Sequence, residues 1–231
     1  MQMQSRYNIY EVIHKALRAR LSRTLVAIGQ VDVDDPASLR ELEAEVNTTL
    51  AMMHGHLTAE NAFIHPAMEA RVPGSALRIA EEHVHHEEDI QLLREACAAL
   101  LAAAPDLRQG LADRLYVLFD LFVQDNFTHM RHEEEHHNAV LWSAYDDAEI
   151  VAIEQALVGA LPPEKKALYL HAMLPAVPTR DRARLLGGLR QSVPAEAFDG
   201  LYASLRTLLD ARAQRRLADA LGLPSVAPIA A

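Results

Sequence analysis

Apolar residues recur along this chain every three to four positions, and strand-like alternation is almost absent, so the pattern predicts an all-α protein. Four long stretches carry that period. The first runs from about Asn8 to Gly29, where a glycine suits a helix end. The break "DVDDPAS" restarts the chain with Asp35 as N-cap and Pro36 at the first helical position. The second stretch continues to about Ala70, where "RVPGS" closes it. A third extends from about Ser75 into "AAAPD", and a fourth from about Leu107 to Trp142. Short connections make neighbouring helices antiparallel, which gives an up-down-up-down four-helix bundle. Beyond "SAYDDAE", Pro162, Pro163, Pro175, Pro178 and Pro194 cut the chain into shorter helices near 148–160, 164–174, 180–191 and 195–222. The last of these carries a possible break, and the tail "PSVAPIAA" is expected to fray. The expectation is a bundle over residues 1–145 and a C-terminal helical appendage of unassigned role over 146–231.

Steps of three and four along each long helix separate inward positions from outward ones. On the first helix they connect Tyr10, His14, Leu17, Leu21 and Leu25; on the second, Val46, Thr49, Met53, His56, Glu60 and Phe63. On the third they connect Ile79, His83, His86, Ile90, Leu93, Cys97 and Leu100. On the fourth they connect Leu115, Phe119, Phe122, Asn126, His129, Glu133, His136 and Val140. Every core stripe therefore contains histidine, and two contain glutamate one turn later. An unpartnered buried carboxylate is strongly unfavourable, so an inward glutamate must be paired, protonated or coordinated.

Composition changes this picture only in its histidines. Half of the 231 residues are hydrophobic and 23% are charged, as in an ordinary globular protein. No apolar run is long enough to cross a bilayer, and the first residues carry no secretory signal. A formal net charge of -10 disfavours nucleic acid and anionic lipid as partners. The lone Cys97 fits a reducing cytoplasm and reads as core filler. Of twelve histidines, eleven lie between His14 and His137.

Residues at i and i+4 share a helix face, so His56 with Glu60, and His129 with Glu133, can each present nitrogen and oxygen to one site. The up-down order brings His14 level with His56, and His83 and His86 level with His129. The spacing of His14 to His56 nearly equals that of His86 to His129, an internal repeat of helix pairs. His83 rests on its stripe position alone. Five histidines and two bridging carboxylates suffice for two metal ions, and a set without thiolate suits iron before manganese or zinc. Such a site leaves one metal short of a protein ligand, an opening for a small molecule. Glu134 is the fallback bridge. His54, His65, His85, His132, His136 and His137 are assigned to the surface or the margin of the site, with His136 nearest to it, and His171 to a structural role. A competing plan pairs Glu11 with His14, Glu82 with His85 and Glu133 with His136 in ferritin-like ExxH spacing. It ranks behind, because the second helix carries HxxxE instead.

The segments "IHKALR", "HLTAENAFIHPAME", "EEHVHHEEDI" and "HMRHEEEHHNAVLW" resemble the four helix signatures of hemerythrin-like proteins, the HHE cation-binding group, across residues 8 to 142. The HxxxE form ending in Glu133 is similar to the bacterial members. His83 and His86 stand three apart where hemerythrins space their third-helix histidines by four. The resemblance implies a bundle holding two iron ions in an oxo- or hydroxo-bridged centre. It maps His14, His56, Glu60, His83, His86, His129 and Glu133 onto metal ligands. It also implies a small-molecule ligand such as O2 or NO, with a di-iron oxidase, a peroxidase or an iron-centre repair factor as the alternative.

Overall fold

The helix signals act where the sequence places them. The Asp35 side chain accepts hydrogen bonds from the Ala37 and Ser38 amides, and Pro36 opens the helix that follows. The computed structural model describes residues 6–224, and among them all regular structure is helical. Helices α1 (Glu11–Gly29), α2 (Pro36–Ala59), α3 (His65–Arg71), α4 (Leu77–Ala102), α5 (Pro105–His132) and α6 (Asn138–Ala144) build the four rods of the expected bundle. Each long rod touches two others: α1 packs on α2 and α5, and α4 packs on the same two from the opposite corner.

Two of the rods are interrupted by one π-helical turn each, Glu60–Ile64 between α2 and α3 and Glu133–His137 between α5 and α6. The first has a cause in the sequence. Pro66 sits in the opening turn of α3, and a proline lacks the N–H and crowds the carbonyl four residues back, so the ladder must loosen there. The second contains no proline, and no local residue explains it. A π turn inserts one residue, which rotates everything after it by about 100° relative to a straight helix. The buried stripe therefore shifts by one. Ile64 and His65 are buried in place of Phe63, and His137 and Leu141 in place of His136 and Val140. His136 is exposed, which corrects its expected place beside the site.

One end of the bundle is closed by Ile9, Tyr10, Ile64, Met68, Ala76, Leu141 and Ile150. Ile150 comes from α7 (Asp147–Ala160), which is held by an Asp146–Glu149 capping box and packs on the first π turn. Arg6 reaches the Trp142 and Tyr145 carbonyls, and the Tyr145 hydroxyl donates to the Ala67 carbonyl. The Arg6 bonds tie the chain before α1 to the end of the fourth rod, and the Tyr145 bond ties that end to α3.

The contacts divide the chain into one unit running to Leu161 and another starting at Pro162. The second unit comprises α8 (Pro163–Ala176), α9 (Thr179–Ser192), α10 (Ala195–Leu205) and α11 (Ala211–Leu221). Its core is Leu174, Leu186, Phe198, Leu205, Leu209 and Leu217. The break expected within residues 195–222 falls at Arg206–Leu208, after which Asp210 caps α11. Gly222 ends α11 with a φ of 63°, the left-handed conformation that glycine adopts without strain. Apart from Pro224, the expected frayed tail lies outside the described residues.

Phe119 is fully buried one layer from the histidines, whereas Val117 on the same helix is 57% exposed. Phe119→Ala should lower stability by about 3–5 kcal/mol, and Val117→Ala should stay within about 0.5 kcal/mol, both read from urea denaturation. Equal losses at the two positions would contradict this assignment of the core.

Candidate metal centre

Six side chains meet in the middle of the bundle, one or two from each rod. A donor atom from each of His14, His56, Glu60 and Glu133 lies within 4.8 Å of the others, and the same holds for Glu60, His83, His129 and Glu133. Both glutamates belong to both groups. Their oxygens divide accordingly. Glu60 Oε1 lies 3.2 Å from His56 Nε2 and its Oε2 3.5 Å from His83 Nε2. Glu133 Oε2 lies 3.4 Å from His14 Nε2 and its Oε1 3.4 Å from His129 Nε2. All six residues are at most 9% exposed. Neither Glu60 nor Glu133 has a hydrogen bond on either oxygen, and His14 Nε2 and His56 Nε2 have none. Six buried donors left without partners form a set that a cation would satisfy.

The outward nitrogens explain the inward ones. His14 Nδ1 lies 3.0 Å from Glu134 Oε1, His83 Nδ1 2.8 Å from Asn61 Oδ1, and His129 Nδ1 2.9 Å from Glu82 Oε2. Arg18 holds Glu134, and Arg78 holds Glu82. An oxygen acceptor at Nδ1 keeps the hydrogen there and turns a bare Nε2 inward, the usual arrangement for a metal-binding histidine. Two such nitrogens, His83 Nε2 and His129 Nε2, face each other at 3.2 Å. At that distance, without a metal, one of the two must carry a hydrogen and donate it to the other. Glu134, the fallback bridge, instead supports His14 from outside.

A family model, the hemerythrin HHE cation binding domain, matches residues 6–141, more than half of the chain. The chain belongs to this family. No curated protein and no solved structure matches it.

Within this hemerythrin domain, six of the seven residues singled out from the sequence converge: His14, His56, Glu60, His83, His129 and Glu133. His86 stays outside both groups. It is buried, with its ring 4.7 Å from that of His129 and 6.2 Å from Phe122. Both histidines lie on the stripe of the third helix, and of the two only His83 offers an atom to either group. Two further histidines arrive that the stripes placed at the margin. His65 and His137 are buried, and with Glu133 they form a third group of donor atoms within 4.8 Å. The signal available in the sequence was Pro66, which announces the register shift on the second rod. The ferritin-like plan loses two of its members, since His85 and His136 are exposed.

Burial dominates the electrostatics. It pushes the histidines below their ordinary range, His56 to about 3 and His86 and His137 to about 4, with His65 and His83 lowered as well. These imidazoles are neutral at pH 7, with lone pairs available. Burial also opposes charge on His129, but Glu133 and Glu82 outweigh it and raise this histidine. Glu60 is raised by burial and then by Glu133. Burial works against Glu133 too, yet His129, His14 and His56 hold it low. One buried carboxylate thus favours a proton while its neighbour keeps its charge.

These shifts set the pH response of the metal-free protein. As pH drops from about 6.5, His56, His65, His83, His86 and His137 take up protons more readily in the unfolded chain than in the folded one, because burial opposes their charge. His129 and Glu60, which hold a proton more readily in the folded state, oppose this, but they are two groups against five. Stability should therefore fall as pH drops below about 6.5. Denaturant midpoints of the chelator-treated protein at pH 7 and pH 5 test this, and a midpoint unchanged or higher at pH 5 would refute it.

Proposed function

We propose that the bundle binds two iron ions bridged by Glu60 and Glu133, and that it takes up a small molecule such as O2 or NO at an open coordination position. The observation that carries this reading is the division of the four carboxylate oxygens, one of each glutamate toward the His14–His56 side and one toward the His83–His129 side. His14 and His56 would hold one ion, His83 and His129 the other. Two imidazoles and two shared carboxylates would supply each ion with four donors, fewer than six, which would leave room for an exogenous ligand. Iron in this setting supplies reversible electron transfer to an oxygen- or nitrogen-based ligand.

The chain's own residues then have separable tasks. Glu134, Asn61 and Glu82 fix the rings of His14, His83 and His129 so that Nε2 points inward. Buried Phe122 packs on His86 and Phe119 on Phe122 on one side, and the closed end with Tyr10 lies on the other. A sealed site of this kind admits small molecules and favours binding over turnover of large substrates. Cys97 is buried, and burial raises its thiol to about 11, so it offers no thiolate for chemistry. Among the described residues, no helix is long and apolar enough to cross a membrane.

Elemental analysis of protein from iron-fed cells should find about two irons per chain, with an absorption band that differs reversibly between nitrogen and air. Glu60→Ala or Glu133→Ala removes a donor from both positions and should leave fewer than one iron per chain, whereas His14→Ala should retain about one. Chelation should lower the melting temperature of the native protein, because ligand binding to the folded state stabilises it. A protein that holds only zinc, or no metal at all, after anaerobic purification would overturn the proposal.

A further inference from the structure

His137 differs from the three histidines that have an oxygen acceptor at Nδ1. Its Nδ1 lies 3.1 Å from the Tyr10 hydroxyl, and among the described residues no other bond to that hydroxyl is present. Tyr10 is 1% exposed, and a buried phenol keeps its hydrogen at neutral pH. That hydrogen has one acceptor within reach, His137 Nδ1. A neutral imidazole that accepts at Nδ1 carries its own hydrogen at Nε2. His137 therefore turns an N–H inward where His14, His83 and His129 turn a lone pair. This inward N–H has no protein acceptor, since His137 Nε2 lacks any hydrogen-bond partner. Nor do the two Glu133 oxygens accept from it; they point to His14 and His129. His65 stands alongside with Nε2 equally unpartnered, its ring 5.5 Å from that of His137 and stacked at 5.1 Å on that of His83.

A buried N–H without an acceptor is strongly disfavoured unless something occupies the space before it. His65, His137 and Glu133 present donor atoms within 4.8 Å of one another. A point no more than about 2.8 Å from all three therefore exists, a hydrogen-bond distance for a small oxygen or nitrogen ligand. A third cation there would need a bare Nε2 on His137, and the Tyr10 hydroxyl assigns the opposite tautomer.

We propose that Tyr10, His137 and His65 form a hydrogen-bonding seat for a small anionic ligand of the metal pair, with His137 Nε2–H as donor and not as a metal ligand. The seat rests on the metal-centre reading above. It lies at the closed end of the bundle, on the side of the six donors opposite His86 and Phe122. Tyr10 is a positioning residue: it selects the tautomer, and His137 touches the ligand.

The zinc-loaded, 15N-labelled full chain gives the direct test. Long-range 1H–15N spectra should show His14, His83 and His129 with the hydrogen on Nδ1, and His137 alone of these four with it on Nε2. Azide titration of the iron-loaded protein gives the second readout. Tyr10→Phe and His137→Phe should each weaken azide by about tenfold or more while two irons remain bound, and His137→Gln, which keeps a side-chain N–H, should recover part of the loss. Melting curves and iron content of each variant identify any that fail to fold; the wild-type tautomer stands independently of them. A metal-bound His137 Nε2, an iron lost on His137→Phe, or azide affinity unchanged with two irons present would each overturn the seat. A wild-type chain that binds neither zinc nor iron would instead overturn the metal reading, and the seat would fall with it.

Discussion

Two carboxylates, Glu60 and Glu133, stand side by side at the centre of an apolar helix bundle, and the arrangement around them follows from that fact. Taken out of water, one such charge is unfavourable by several kcal/mol even after the protein relaxes, and two in contact repel each other besides. Without a cation the site resolves this unevenly, with Glu60 drawn toward protonation and Glu133 kept charged by the histidines around it. A pair of metal ions would resolve it symmetrically, since each glutamate has one oxygen toward His14 and His56 and one toward His83 and His129. The four rods must then hold their histidines level to within a few ångströms, which the short connections of the bundle and its Phe119, Phe122 and Leu115 packing enforce.

Outside this core, hydrogen bonds decide what each imidazole can do. An oxygen acceptor at Nδ1 and a hydroxyl donor at Nδ1 are similar in size and place, yet they leave opposite groups facing inward. Glu134 with Arg18, Asn61, and Glu82 with Arg78 make three of the rings into lone-pair donors. Tyr10 makes His137 into an N–H donor. Partners that range from the half-buried carboxylates Glu134 and Glu82 to the buried Tyr10 hydroxyl thus govern the chemistry of the buried rings, and their influence passes through one ring rather than through the field of the protein.

The second unit stands apart in character. Residues 162–224 carry a leucine-rich core and an arginine-rich surface, where the bundle is strongly acidic, and the six donor residues of the metal centre all lie in the first unit. The family match likewise ends at residue 141. The metal chemistry is therefore the property of the first unit.

Much of this was legible in the sequence. The apolar period gave the helices, Asp35–Pro36 marked the start of α2, and polar residues interrupting four apolar stripes pointed to His14, His56, Glu60, His83, His129 and Glu133. Those positions come out buried and close together because helical periodicity is local: residues three and four apart share a face whatever the rest of the chain does. The tertiary structure decided what depends on register and on partners distant in sequence. The two π turns rotated His65 and His137 inward and His136 outward, and only the first has a sequence cause, at Pro66. The choice of His83 over His86 turned on which ring reaches a glutamate from another rod. The tautomer of His137 turned on Tyr10, 127 positions away in the chain. A period read along one helix says which way a side chain faces, but the groups it meets there are set by how the rods pack together.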